Sequence, residues 1–293
     1  MSNLARRAPV RRIVRKVRPV GLVTALAWSL VAAAPLLWMF VSSFKTGADY
    51  TTNRWGLPQS WTLDNYISVW TGHVIDGPIP QVIPLSSYVL NSVIVASVSL
   101  ALTLAMAIPA SYVLARTFVR GRKAILSGFL VLLAIPVQAL IIPIWEAHNQ
   151  LGLINTYPGL ILPYVGTAMP FAVRLLTSYF RSFPREVEEA ARVDGLGTVG
   201  VLLRIVIPLS SGPISAIGIL LTFGFWTDFL FALVLVPGQS MQTLPLGVVQ
   251  FSTSYNPPTV LILTSLCILT APMLVVYILL QRYITSADFT MAK

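Results

Sequence analysis

Arg181-Ser182-Phe183-Pro184-Arg185-Glu186-Val187-Glu188-Glu189-Ala190-Ala191-Arg192-Val193-Asp194-Gly195 lies between two long apolar runs and carries four of the ten acidic residues of the chain. A stretch this polar does not sit in hydrocarbon, so it reads as a connection and the runs beside it read as membrane spans. It starts like a helix and stops like one. Pro184 suits a first turn, where its missing N–H has no intrahelical partner anyway, and Glu186, Glu188 and Glu189 lie at the positive end of the helix dipole. Gly195 can take the left-handed conformation that closes such a helix, and Gly197 loosens the turn before a second helix over 199–204. The expectation is two short helices at an angle, their acidic residues facing water. Ala190 and Ala191 leave a slim surface that can enter a groove, with Glu189 beside them to meet an Arg or Lys. Spacing alone leaves this docking reading level with an amphipathic hairpin lying on lipid headgroups.

Working outward, 56% of the 293 residues are hydrophobic and only 10% charged, with a mean hydropathy of +0.78. A soluble domain carries about a quarter charged residues. Six segments meet the need for about 20 predominantly apolar residues, at 20–43, 86–115, 124–146, 157–180, 214–236 and 259–283. Basic residues collect in the N-terminal tail, in 116–123, in 181–204 and at Arg282 and Lys293, whereas the alternate connections hold only Lys45 and Arg54. Lys and Arg mark the cytoplasmic side, so the expected fold is an all-α integral membrane protein with six transmembrane helices and both termini cytoplasmic. Its parts are a basic tail at 1–19, a six-span domain at 20–283 that includes an inner loop at 181–213, and a short cytoplasmic tail at 284–293.

The net charge of +10 does not point to nucleic acid. Its basic residues flank apolar runs and form no aromatic-studded groove, and the seven in the first eighteen positions suit anionic lipid. The run at 20–43 is too long for a signal-peptide h-region and reads as a retained span. Cys267 stands alone in an apolar run, and His73 and His148 lack a second ligand at useful spacing, so no metal site is expected. No phosphate-cradling G-x-x-x-x-G-K-[ST] loop occurs, and no internal repeat of an inverted-repeat transporter is evident.

Outside the membrane, Trp55, Trp61, Tyr66 and Trp70 read equally as an aromatic belt and as a docking surface for an extracytoplasmic partner. The connection at 237–258, with Gln239, Gln242, Thr243, Ser252, Ser254, Tyr255 and Asn256, reads as a polar, flexible loop. Inside the spans, Arg174 can snorkel to headgroups or meet Asp194. Asp228, with Phe223 and Trp226, could stack on and hydrogen-bond a polyol in a substrate pathway; a helix-packing role is an equal reading. A secondary transporter or channel would need coupling carboxylates or ion ligands in its spans, and these are nearly absent.

The pattern Glu189-Ala190-Ala191, Gly195 after three intervening residues, then Ile205, Ile207 and Pro208 resembles the EAA loop of ABC importer permeases, with Ile207 in place of the usual Leu. Most of the chain after residue 40 is similar to the smaller permease of carbohydrate importers of the maltose type. Matching residues include Ser43-Phe44-Lys45-Thr46, Thr62-Leu63-Asp64-Asn65-Tyr66, Leu90-Asn91-Ser92, Leu151-Gly152-Leu153-Ile154-Asn155-Thr156, Pro170-Phe171, Trp226-Thr227-Asp228-Phe229-Leu230, Thr243-Leu244-Pro245 and Gln281-Arg282-Tyr283. The resemblance implies a type I importer permease fold. It implies as partners a second permease, two copies of an ATPase subunit and an extracytoplasmic solute-binding protein, with ATP and Mg on the ATPase and no cofactor on this chain. Glu189 would meet a basic residue of the ATPase, and Glu186, Ala190, Ala191, Asp194, Gly195, Ile205 and Pro208 would complete the coupling segment. Gln239, Gln242, Tyr255 and Asn256 would reach into the binding protein. The cargo implied is a sugar or polyol; glycerol phosphate and amino acid permeases share the loop. The tail after Tyr283 departs from the glycine-rich ending common in the family.

Overall fold

The computed structural model describes residues 19–73, 83–252 and 258–288, and among them every regular element is helical. The first is α1 (Pro19–Ser42), whose side chains are almost all exposed along its length. Two short helices follow, α2 (Gly47–Thr52) and α3 (Asp64–Thr71). Next comes α4 (Leu85–Arg116), whose 32 residues extend about 48 Å at 1.5 Å each. That exceeds a hydrocarbon core of about 30 Å, so the end at Tyr112 and Arg116 projects to the level of the inner hairpin.

The third expected span is not one straight helix. It is α5 (Arg122–Ala134), a 3₁₀ turn and α6 (Ile141–Gln150), with the two arms bent by 93°. Pro136 explains the break, because its ring pushes Ile135 out of the helical region, and Ile135 has ψ 121°. After it, α7 (Tyr157–Ser182) starts with Thr156 accepting from the Gly159 N–H at 3.1 Å and Pro158 in the first turn. Gly159 is required there, since a Cβ would lie 2.0 Å from the Leu153 carbonyl oxygen.

The inner hairpin consists of α8 (Arg185–Val193), α9 (Thr198–Val201), a π turn at Leu202–Val206 and α10 (Ile207–Leu209). Its second arm is therefore longer than the expected 199–204. It meets α11 (Ser211–Thr227) at 77°. The fifth expected span, 214–236, also breaks: α11 stops at Thr227, Asp228 is extended, and α12 (Leu230–Leu235) follows. The chain ends through α13 (Leu244–Val249) and α14 (Thr259–Asp288). Among the described residues four helices are long and apolar enough to cross a membrane, and the count reaches six if each bent pair is one span.

The core is the α4/α7 pair, with α11 packed on both and on α14, and α1 resting chiefly on α14. Along α4 the buried face reads Ser92, Ala96, Ser99, Thr103, Ala107 and Ser111. Small residues at this spacing let helix backbones approach where no hydrophobic effect separates helix from lipid. The Ser111 hydroxyl donates across the seam to the Val173 carbonyl at 3.3 Å.

Candidate functional site

Helix α8 is held by one face and presents the other. Glu188 and Ala191 are buried, whereas Glu186, Glu189 and Ala190 are exposed and Val193 is 87% exposed. A 100° step per residue turns Glu188 inward and Glu189 outward. The expectation that all the acidic residues face water is therefore corrected at Glu188. Its carboxylate meets the Arg116 guanidinium at 2.7 Å and accepts from the Tyr112 hydroxyl at 2.9 Å, and the Glu188 and Arg116 side chains are 4% and 5% exposed. The same Arg116 nitrogen donates to the Phe183 carbonyl at 2.6 Å. Arg192 stands 3.9 Å from Glu188 at the solvent edge and adds little. Losing one partner of a pair this buried costs about 3–5 kcal/mol, since the other charge is left without compensation.

The end of α8 is built by Gly195. Its φ of +90° is left-handed, and the Leu196 and Gly195 N–H groups donate back to the Ala191 and Arg192 carbonyls at 3.1 and 3.0 Å. This double closure turns the chain into the second arm. Asp194 is exposed beside the turn, and Arg174 makes no ion pair with it. Ile205 is half-buried against the core and Pro208 is exposed in α10. Val199, Leu203 and Leu209 on the same hairpin are 68%, 58% and 59% exposed. Its free face thus carries charges of both signs at α8, with Glu186 and Glu189 beside Arg185 and Arg192, and is largely apolar beyond.

The residues read as a substrate pathway are not gathered into one site. Trp226 is 4% exposed, and its indole N–H donates to the Leu269 carbonyl of α14 at 2.9 Å, so that donor is used in helix packing. Asp228 accepts from the Tyr164 hydroxyl at 2.7 Å and from the Ala232 N–H at 3.3 Å, which fastens the α11/α12 break to α7. Tyr164 stacks on Phe225 with ring centroids 5.3 Å apart. Phe223 is 56% exposed and free of these contacts. Beside it, Val89, Ala96, Leu100 and Leu104 of α4 line an apolar groove of about 440 Å³ with Thr222 and Trp226 of α11 and Met273 of α14.

Within the connection at 237–258, the described residues 237–252 are tied down rather than loose. The Asn91 amide donates to the Ser240 and Gln242 carbonyls at 3.0 and 2.9 Å, Ser92 accepts from the Leu244 N–H at 2.7 Å, and α13 is buried against α4. Gln239 is exposed and Gln242 half-buried; Tyr255 and Asn256 lie outside the described residues, as do Ser254 and the tail after Asp288. At 151–156 the chain turns on Gly152 (φ +66°) and Asn155 (φ +60°). Asn155 locks that turn to the end of α12, accepting from the Gly238 N–H at 3.0 Å and donating its own N–H to the Leu235 carbonyl at 2.8 Å.

Two further buried charges, Lys45 and Asp49, lie in the arm at 43–71, where the Asp49 carboxylate accepts from the Gln59 N–H at 2.9 Å. Lys45 is fully buried and donates to the Asn53 and Arg54 carbonyls at 2.6 and 3.3 Å. Asn65 donates to the Ser43 and Lys45 carbonyls, each at 2.8 Å, and the Tyr66 hydroxyl bonds Ser43 at 2.7 Å. Burial pushes the Tyr66 phenol up, against the pull of that bond, so it stays neutral. Trp55, Trp61 and Trp70 are exposed around this knot. His73 and His148 belong to no group of three candidate metal ligands among the described residues.

Comparison with known proteins places these features together. The family model for the inner membrane component of binding-protein-dependent transport systems matches residues 107–287, more than half of the chain and the whole inner hairpin. A Bacillus subtilis protein described as a "probable ABC transporter permease protein" is 35% identical over 254 residues, covering 87% of this chain and 81% of that one. The permease protein of the diacetylchitobiose uptake system of Streptomyces coelicolor is 32% identical over 275 residues, covering 93% and 88%. In fold the chain is similar to one from a bacterial ABC transporter involved in importing the acidic polysaccharide alginate, with a TM-score of 0.77, 22% identity, and coverage of 92% of this chain and 98% of that one.

Proposed function

Because the chain belongs to the family of inner membrane components of binding-protein-dependent transport systems, we propose that it forms, with a second permease, the membrane pathway for a sugar or related polyol. It is a multi-pass protein of the cell membrane with the fold of an ABC importer permease. Permeases of this family work with a solute-binding protein and an ATPase. Taking α5 with α6 as one bent span and α11 as another makes six, with both termini in the cytoplasm and the inner hairpin facing the ATPase. Two ATPase subunits carry ATP and Mg, and this chain transmits their closure without catalysing hydrolysis.

The observation that carries the reading is α8: a nine-residue helix fastened through Glu188, with Glu186, Glu189, Ala190 and Val193 left outward. Exposed carboxylates beside a slim apolar surface suit a cleft with a basic residue in it. Glu189→Lys reverses the charge on that face, and Gly195→Pro removes the left-handed closure that aims it. Both variants should remain in the membrane while uptake is abolished and the ATPase no longer co-purifies. Retention of the ATPase and of uptake by both overturns the coupling reading.

The cargo class rests on the chain's likeness to a permease whose name carries diacetylchitobiose uptake. Ligand identification on the cognate binding protein tests it. A bound amino acid or glycerol phosphate overturns the sugar reading and leaves the permease reading standing.

A further inference from the structure

We propose that Glu188 is a positioning residue that delivers movement of α8 to α4, with Arg116 and Tyr112 as its receivers. The inference rests on the reading of α8 as the ATPase contact, and it adds the route by which that contact reaches the spans.

Both carboxylate oxygens of Glu188 are tied to α4, one to Arg116 at 2.7 Å and the other to Tyr112 at 2.9 Å. Tyr112 and Arg116 are one turn apart on the same face of α4, so they grip the carboxylate at two points along the helix axis. The Arg116 nitrogen also holds the Phe183 carbonyl at 2.6 Å, just before α8 begins. Thus α8 is pinned to α4 at its entry and again within its first turn. The backbone of α8 packs chiefly on the following turn, 198–206, so its link to α4 runs through these side chains. The Arg116 contact is a close ion pair and the Tyr112 contact a hydrogen bond to a charged acceptor, and in a site shielded from water both are costly to stretch. A pull on α8 therefore moves α4 before it breaks the lock.

Helix α4 is also the element through which such a pull reaches the middle of the membrane. It packs on α7 and α11 and supplies Val89, Ala96, Leu100 and Leu104 to the apolar groove shared with α11 and α14. The Tyr112 ring rests edge-on against Phe180 of α7, with centroids 6.2 Å apart, so α7 shares the load. The lock was invisible in the coupling pattern because Glu189, one residue on, points the other way.

The test uses the complete complex with its ATPase, second permease and binding protein, in a Cys267→Ala background that removes the chain's one cysteine. Spin labels are placed singly at Arg185→Cys on α8 and Leu102→Cys on α4, both exposed, and the probe is MgATP. In the otherwise unmodified chain both labels should change their spectra on MgATP. Replacing the lock by apolar residues of similar size, Arg116→Met with Glu188→Leu, keeps the packing but removes the polar ties. Co-purified ATPase and the α8 signal should persist in that variant, and the α4 signal should be lost. Tyr112→Phe removes one bond and should shrink the α4 signal alone.

An α4 signal that survives undiminished in these variants overturns the proposal, as does an unmodified chain in which α8 responds and α4 does not. If the double variant loses its ATPase, Tyr112→Phe decides by itself. Glu189→Lys keeps the two readings apart: if the ATPase and both signals persist in that variant, the docking reading fails, whatever the lock variants do.

Discussion

The outer arm at 43–71 buries Lys45 and Asp49, the inner hairpin at 183–209 buries Glu188, and the two regions satisfy their charges differently. Lys45 is met by carbonyls eight and nine residues along the same chain segment, so the arm satisfies its own charge. Glu188 is met by Arg116 and Tyr112, the latter 76 residues away on another helix. A charge paired locally stiffens one piece of chain, whereas a charge paired across elements makes one helix answer to another. The arm has the chemistry of a fixed platform, with Trp55, Trp61 and Trp70 set around a rigid knot. The hairpin has the chemistry of a lever.

Breaking the long-range pair should have the largest effect. Arg116→Met strands a buried carboxylate, so stability should fall by about 3–5 kcal/mol, read as a lower thermal midpoint and faster proteolysis at Arg185. The local charge comes next: Lys45→Met leaves two carbonyls without their donor, a loss of about 1–3 kcal/mol. Cleavage should then rise at Arg54 while ATPase co-purification is unchanged; a loss of ATPase would show that the two ends are coupled. A smaller effect is expected from Thr46→Ala, which removes the hydroxyl that accepts from the Asp49 N–H at 3.2 Å, costing about 1 kcal/mol and confined to the arm. Trp61→Ala, at an exposed site, should shift stability by less than about 0.5 kcal/mol. A Trp61→Ala effect as large as that of Lys45→Met would contradict the picture of a self-sufficient platform.

Much of the fold was legible because its signals are local. Four of the long apolar runs, the helix start beside Pro184 and the stop at Gly195 each need only their neighbours, and each appears where it was expected. Pro136 also carried a local signal, but a hydropathy window averages over it, and the run at 124–146 therefore looked continuous. The break at Asp228 had no such mark. It depends on Tyr164, 64 residues away, whose hydroxyl holds the carboxylate that caps α12. Gln239 and Gln242 looked like parts of a loose loop because the amide that ties down this segment is on Asn91, about 150 residues earlier. Several motifs that marked the family resemblance turn out to be such fasteners: Asn65 on Ser43 and Lys45, Asn155 on Gly238, and Ser92 on Leu244.

By itself the sequence determined that this chain lives in a membrane, where its polar connections fall, and that a short acidic helix ends at Gly195. These follow from composition and from steric rules that act over a few residues. Only the tertiary structure decided which glutamate of that helix is buried and which is presented, because adjacent carboxylates are chemically alike until Arg116 and Tyr112 arrive beside one of them. It also decided where the run at 214–236 breaks, since the carboxylate at that break is held by Tyr164 of a neighbouring helix.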